Sequence, residues 1–114
     1  MKVSETFYVI RNQVGSKFIC SHKYGTETKF LTSAERHETL LEANEALAVI
    51  KKLLSGNLAK FENENPDYLE NKWLLQDVNS RVESIEKLKV FKCERTYLMV
   101  EGCSHETIPL FIPT

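Results

Sequence analysis

Thr39-Leu40-Leu41-Glu42-Ala43-Asn44-Glu45-Ala46-Leu47-Ala48-Val49-Ile50-Lys51-Lys52-Leu53-Leu54-Ser55-Gly56 reads as an amphipathic helix with both ends marked. Thr39 and Glu42 have the spacing of a capping box, in which the hydroxyl accepts from the third helical amide and the carboxylate reaches back. Ala43, Ala46, Leu47, Ile50, Leu53 and Leu54 recur at intervals of three and four, which is one face of an α-helix. Lys51 and Lys52 sit where the helix dipole favours cations. Gly56 can take the left-handed conformation that stops a helix. The spacing predicts a helix over 40–55.

Upstream, Thr6-Phe7-Tyr8-Val9-Ile10-Arg11 is aromatic and β-branched, which suits a pleated strand. Asn12-Gln13-Val14-Gly15 supplies turn residues, and Lys17-Phe18-Ile19-Cys20-Ser21-His22 reads as the returning strand of a β-hairpin. Residues 23–33 read as polar loop, with Phe30-Leu31 as a short third strand.

Downstream, Glu62-Asn63-Glu64-Asn65-Pro66-Asp67 is an acidic connection. Asn65 can cap a second helix and Pro66 can open it, giving a segment from about 66 to 80 or beyond with Leu69, Trp73, Val78, Val82 and Ile85 on one face. Leu88 to Glu101 alternates as a long strand, ended by Gly102. Phe91, Cys93, Arg95, Tyr97 and Met99 would share one side of it. Thr107-Ile108-Pro109-Leu110-Phe111-Ile112 fits an edge strand, because Pro109 lacks a ladder donor. The expected fold is α+β in the order β-β-α-α-β-(β), a single domain over 1–114. A small antiparallel sheet would carry the 40–55 helix on one face, with the second helix beside it.

Composition narrows the function. The chain has 114 residues, 27% of them charged, and a net charge of -1. Such a balance disfavours nucleic acid and anionic membrane as partners. Of its 16 acids only Asp67 and Asp77 are Asp, so no EF-hand calcium loop can be written. Three cysteines, Cys20, Cys93 and Cys103, make no disulfide framework. No apolar stretch approaches the ~20 residues of a membrane span, and the first residues lack a secretory signal's apolar core. The expectation is a cytoplasmic protein with reduced thiols. Glycines stand only at 15, 25, 56 and 102, which excludes the glycine-rich phosphate loops. No nucleophile elbow and no H-E-x-x-H helix occurs. No catalytic set, metal or cofactor is expected.

Three features suggest binding chemistry. The acidic stretch Glu62, Glu64, Asp67 and Glu70 contains no base, can dock on a basic protein surface, and has Trp73 beside it as a candidate anchor. The alternative roles are a solvated loop for the acids and a core position for Trp73. Cys20-Ser21-His22 and Cys103-Ser104-His105 are identical triplets that would make a Cys2His2 zinc set, or a thiol–imidazole pair, if they converged. Lys2, Arg11, Lys17, Lys23 and Lys29 alternate with Phe7, Tyr8, Phe18, Tyr24 and Phe30, a pattern that can bind single-stranded nucleic acid if the rings are exposed.

Phe7-Tyr8-Val9-Ile10-Arg11-Asn12, then Gly15-Ser16-Lys17-Phe18, then Thr39-Leu40-Leu41-Glu42-Ala43 resemble the opening of small uncharacterised accessory proteins of phages and prophages of Gram-positive bacteria. The resemblance covers about the first 50 residues. It implies context, not activity: such proteins are often early accessory factors, and some bind and block host machinery, including nuclease-based defence. It carries no functional residue. The expected function of the chain is non-catalytic binding of a host macromolecule, most simply a protein.

Overall fold

The structure is a computed structural model that describes residues 2–100, 103–106 and 110–113, with side chains from 4 to 96. Its order is β1 (Lys2–Asn12), β2 (Lys17–Ser21), β3 (Thr26–Thr28), a 3-10 turn (Leu31–Ser33), α1 (Leu40–Glu64), α2 (Lys72–Glu86), β4 (Leu88–Val100), β5 (Cys103–Glu106) and β6 (Leu110–Pro113). The fold is α+β, as the residue patterns predict. The third strand is β3 rather than Phe30-Leu31, which precedes and enters the 3-10 turn. The predicted strand end at Gly102 and the proline at 109 lie outside the described residues.

The sheet is antiparallel, in the order β3-β2-β1-β4-β5, with β6 also on β4. Its axis is the β1–β4 pair, in register from Lys2↔Leu98 to Asn12↔Leu88. β5 takes Tyr97–Val100 of β4's outer edge, and β6 takes Phe91–Glu94. Strand alternation sends Ile10, Leu88 and Val90 to one face and Phe7, Val9, Phe91 and Cys93 to the other. Ala43, Ala46 and Ile50 of α1 close the first face, with Ile19 beneath them. Alanines at 43 and 46 let α1 approach the strands closely. Each large apolar side chain so buried contributes roughly 1.5–3 kcal/mol.

The second face is covered without a helix. The segment from Leu31 through Ala34 lies over Phe7, Phe18 and Phe91. Arginines finish the cover. The Arg36 guanidinium stands 4.4 Å from the Phe7 ring centre, and Arg11 stacks over both Phe18 and Phe91. Past Phe18, β2 leaves β1, and His37 takes its place by exchanging both backbone hydrogen bonds with Tyr8.

α1 starts where the capping box predicts, with the Thr39 hydroxyl accepting from the Glu42 amide at 3.1 Å. It does not stop at Gly56 but runs on to Glu64. The glycine costs α1 about 1 kcal/mol relative to alanine, too little to end a helix that packs on α2. Phe61 of the extension lies 4.3 Å under the Arg81 guanidinium of α2. Asn65 is the C-cap of α1 instead of the N-cap of a second helix, and α2 begins six residues past Pro66, at Lys72. The Asn71 carboxamide accepts from the amides of Trp73 and Leu74, a better cap than Asn65 offers. On the sheet side, Asn12 donates from Nδ2 to the Ser84 hydroxyl at 2.7 Å, tying the β-hairpin to α2.

The molecule is long, 66 × 23 × 20 Å with a radius of gyration of 18.0 Å. A compact chain of this length would have roughly 13 Å. α1, about 37 Å by its rise per residue, leads away from the sheet and returns as α2, forming a helical hairpin.

Candidate binding surface

The tip of that hairpin is built by successive turns. Asn65 donates from its side chain to the Phe61 carbonyl, Tyr68 bonds back to Asn65, and Glu70 to Asp67. These bonds fix the acidic residues of the connection. Glu62 is half-buried on the last turn of α1, while Glu64, Asp67 and Glu70 are exposed.

Trp73 is 76% exposed and Leu69 is 69% exposed. The sequence reading placed both on the inward face of a helix begun at 66, with Trp73 more at home in the core. Trp73 and Val78 stand five residues apart in α2, about 140° around the helix axis, so they cannot share a face. Leu74, Val78 and Ile85 turn inward, and Trp73 turns out. Leu69 belongs to the turn, not to a helix. Beside them a trough of about 560 Å³ runs along α2, lined by Leu69, Glu70, Lys72, Leu75, Gln76, Asn79, Ser80 and Glu83. Glu62, Glu64, Asp67, Glu70 and Trp73 therefore all belong to one end of the molecule.

A second cluster was not foreseen. The Glu35 carboxylate accepts from the backbone amide of His22 at 3.0 Å and meets His22 Nδ1 with its other oxygen. His37 Nε2 lies 3.5 Å from that same oxygen, and the two imidazole centres are 6.1 Å apart. Glu35 and His37, two apart on extended backbone, share a side, and this much is visible in Glu35-Arg36-His37. The approach of His22 depends on how β2 ends, which no local pattern encodes. A cavity of about 350 Å³ opens beside them, lined by His22, His37, Glu42, Glu45, Ala46 and Val49. Burial lowers the His37 pKa from its ordinary 6.5; Glu35 opposes this, His22 adds to it, and Glu42 opposes it. The groups bond to each other, and among the described residues no three His, Cys, Asp or Glu are arranged to hold a metal ion. The cluster clamps the 3-10 segment to the end of β2.

The two Cys-Ser-His triplets do not converge in the sheet. The second triplet sits on β5, which joins β4 at Tyr97–Val100, whereas β2 joins β1 opposite the start of β4. At about 3.3 Å per strand residue the register separates them by on the order of 25 Å, so one chain cannot bring both to one zinc. The side chains of Cys103 and His105 lie outside the described residues. Cys20 faces the Thr26 hydroxyl at 3.1 Å. Cys93, fully buried, has its thiol pKa pushed up to about 11 by burial, against the opposing pull of Arg36 and Arg95. Such a thiol is a poor nucleophile.

Of the rings in the basic hairpin, Phe7 and Phe18 are buried in the second face and unavailable to stack bases. Tyr24 and Phe30 are exposed, and Tyr8 packs against the first core. No helix among the described residues is long and apolar enough to cross a membrane. No protein-family model, curated protein or solved structure matches the chain.

Proposed function

We propose that this chain acts without catalysis, as an accessory protein of the phage or prophage kind, by binding a protein of its host through the helical-hairpin tip. The observation that supports this reading is the exposure of both Leu69 and Trp73, one on an ordered turn and the other on the first turn of the helix that follows it. A tryptophan left three-quarters in water contributes little to the fold, and tryptophan is the residue type most often found at the energetic centre of protein interfaces. The turn that precedes it is closed by backbone bonds, so the surface is preformed and loses little entropy on docking.

The test is affinity capture from a Gram-positive bacterial lysate with the wild-type chain and with a Trp73→Ala/Leu69→Ala variant. The expected outcome is one dominant host protein retained by the wild type and lost, by about 2 kcal/mol or more of affinity, from the variant. Equal recovery by both chains, or hydrolase activity in the pure protein abolished by a cavity substitution, would sink the reading.

A further inference from the structure

We infer that the partner of the hairpin tip presents a lysine- and arginine-rich segment, which lies along the α2 trough against Leu69, next to the exposed Trp73. The inference rests on the docking role proposed for the tip and adds the chemistry of what docks.

Charge is concentrated here. Residues 58–86 carry seven acids against three bases, a balance of -4 in a chain whose total is -1; four of the acids, Glu62, Glu64, Asp67 and Glu70, stand at the tip, whereas Glu83 and Glu86 lie toward the sheet. Arg81, one of the three bases, already faces Asp77 at 3.1 Å. The arrangement is also unfavourable for the helices themselves. The negative end of the α1 dipole coincides with Glu62 and Glu64, and its last turn has no base. α2 opens on Lys72 with no acid in its first turn. Carboxylates at a helix C-terminus and a cation at an N-terminus each work against the dipole by a few tenths of a kcal/mol or more. A fold optimised for its own stability would reverse both. Local choices that oppose the fold are expected where a surface serves a partner.

A cationic segment answers these features together. Its ammonium or guanidinium groups would meet the α1 carboxylates at the negative end of the helix dipole. Its apolar stems would lie on Leu69 and Trp73. Glu70 and Glu83 line the trough and would fix its direction, with Lys72 the one cation in its lining, while Gln76, Asn79 and Ser80 offer hydrogen bonds along it. Nucleic acid is the wrong occupant, since phosphates would meet the four carboxylates of the tip.

Trp73 is the only tryptophan in the chain, so its fluorescence reports on the site alone. The experiment titrates the full chain with a synthetic arginine- and lysine-rich peptide, with a glutamate-rich peptide as control. The basic peptide is expected to shift the emission to shorter wavelength, saturably, and to bind about tenfold or more weakly once Glu62, Glu64, Asp67 and Glu70 are converted to Gln or Asn. Raising the salt should weaken it in the same direction. The neutralised variant is expected to fold at least as well as the wild type, because it relieves the α1 terminus. Circular dichroism checks that.

A missing shift, an equal response to the acidic peptide, or indifference to the four neutralising changes would overturn the inference. So would self-association of the wild type, which would make a second copy the occupant. Loss of peptide binding with host capture still dependent on Trp73 would remove the basic partner and leave the docking reading standing. Failure of both would remove both.

Discussion

At the scale of single residues, His37 carries two opposed demands. Its backbone closes the free edge of β1 at Tyr8, which forces the ring to a position only 8% exposed. A charged imidazole is costly there, and this burial outweighs the attraction of Glu35. The folded state therefore holds the His37 proton less tightly than the unfolded chain. The stability that neutral His37 contributes is present above its ordinary pKa of 6.5 and is lost as the pH falls below it. Denaturant unfolding at stepped pH is expected to show a decline below about 6.5, bounded near 1.4 kcal/mol per pH unit for one proton. His37→Gln should flatten that decline; an unchanged profile would show that other groups carry it. Of these residues, the sequence discloses Thr39 as a cap because the cap is local. It does not disclose His22–Glu35–His37, because that contact joins two segments brought together by the sheet. Trp73 points outward because it stands about 140° around α2 from the buried Val78.

At the scale of elements, strand alternation was easier to read than helix ends. Phe7, Val9, Phe91 and Cys93 fall on one face as their spacing predicts, since a two-residue period leaves no freedom of phase. Helix ends are decided by competition between weak signals and packing. Gly56 offers a stop worth about 1 kcal/mol, and the contact of the α1 extension with α2 outweighs it. Asn65-Pro66 resembles a helix start, yet Asn71 caps two amides and prevails. The glycine is thus a residual cost and not a device. A Cβ at Gly56 would meet nothing within 4 Å, and the residue lies inside α1. Gly56→Ala is expected to stabilise the fold by about 0.5–1 kcal/mol in equilibrium unfolding, with no change in partner capture. A destabilised variant would mean that Gly56 serves a close approach inside α1.

At the scale of the molecule, length and charge follow one axis. The sheet and the first half of α1 hold both apolar cores, while the hairpin beyond them carries the acids, Trp73 and Leu69. Composition does not show this, because a net charge of -1 conceals the -4 of residues 58–86, and the sum says nothing of distance. The division has an energetic consequence. Between Gly56 and Lys72 no residue belongs to either buried cluster. That stretch is held by its own helix bonds, by the Asn65 turn and by the Phe61–Arg81 stack. Segments with few buried apolar contacts open at lower free energy than the global transition. Native-state hydrogen exchange is therefore expected to show amides 58–76 exchanging through local opening, well before those of Val9, Ile10 and Ile50. Binding at the tip should raise protection there and leave the sheet unchanged, because a ligand stabilises only the state it contacts. Uniform protection from the tip to the sheet would mean that the hairpin and the body unfold as one unit, and the separation of a stable scaffold from a docking end would not hold.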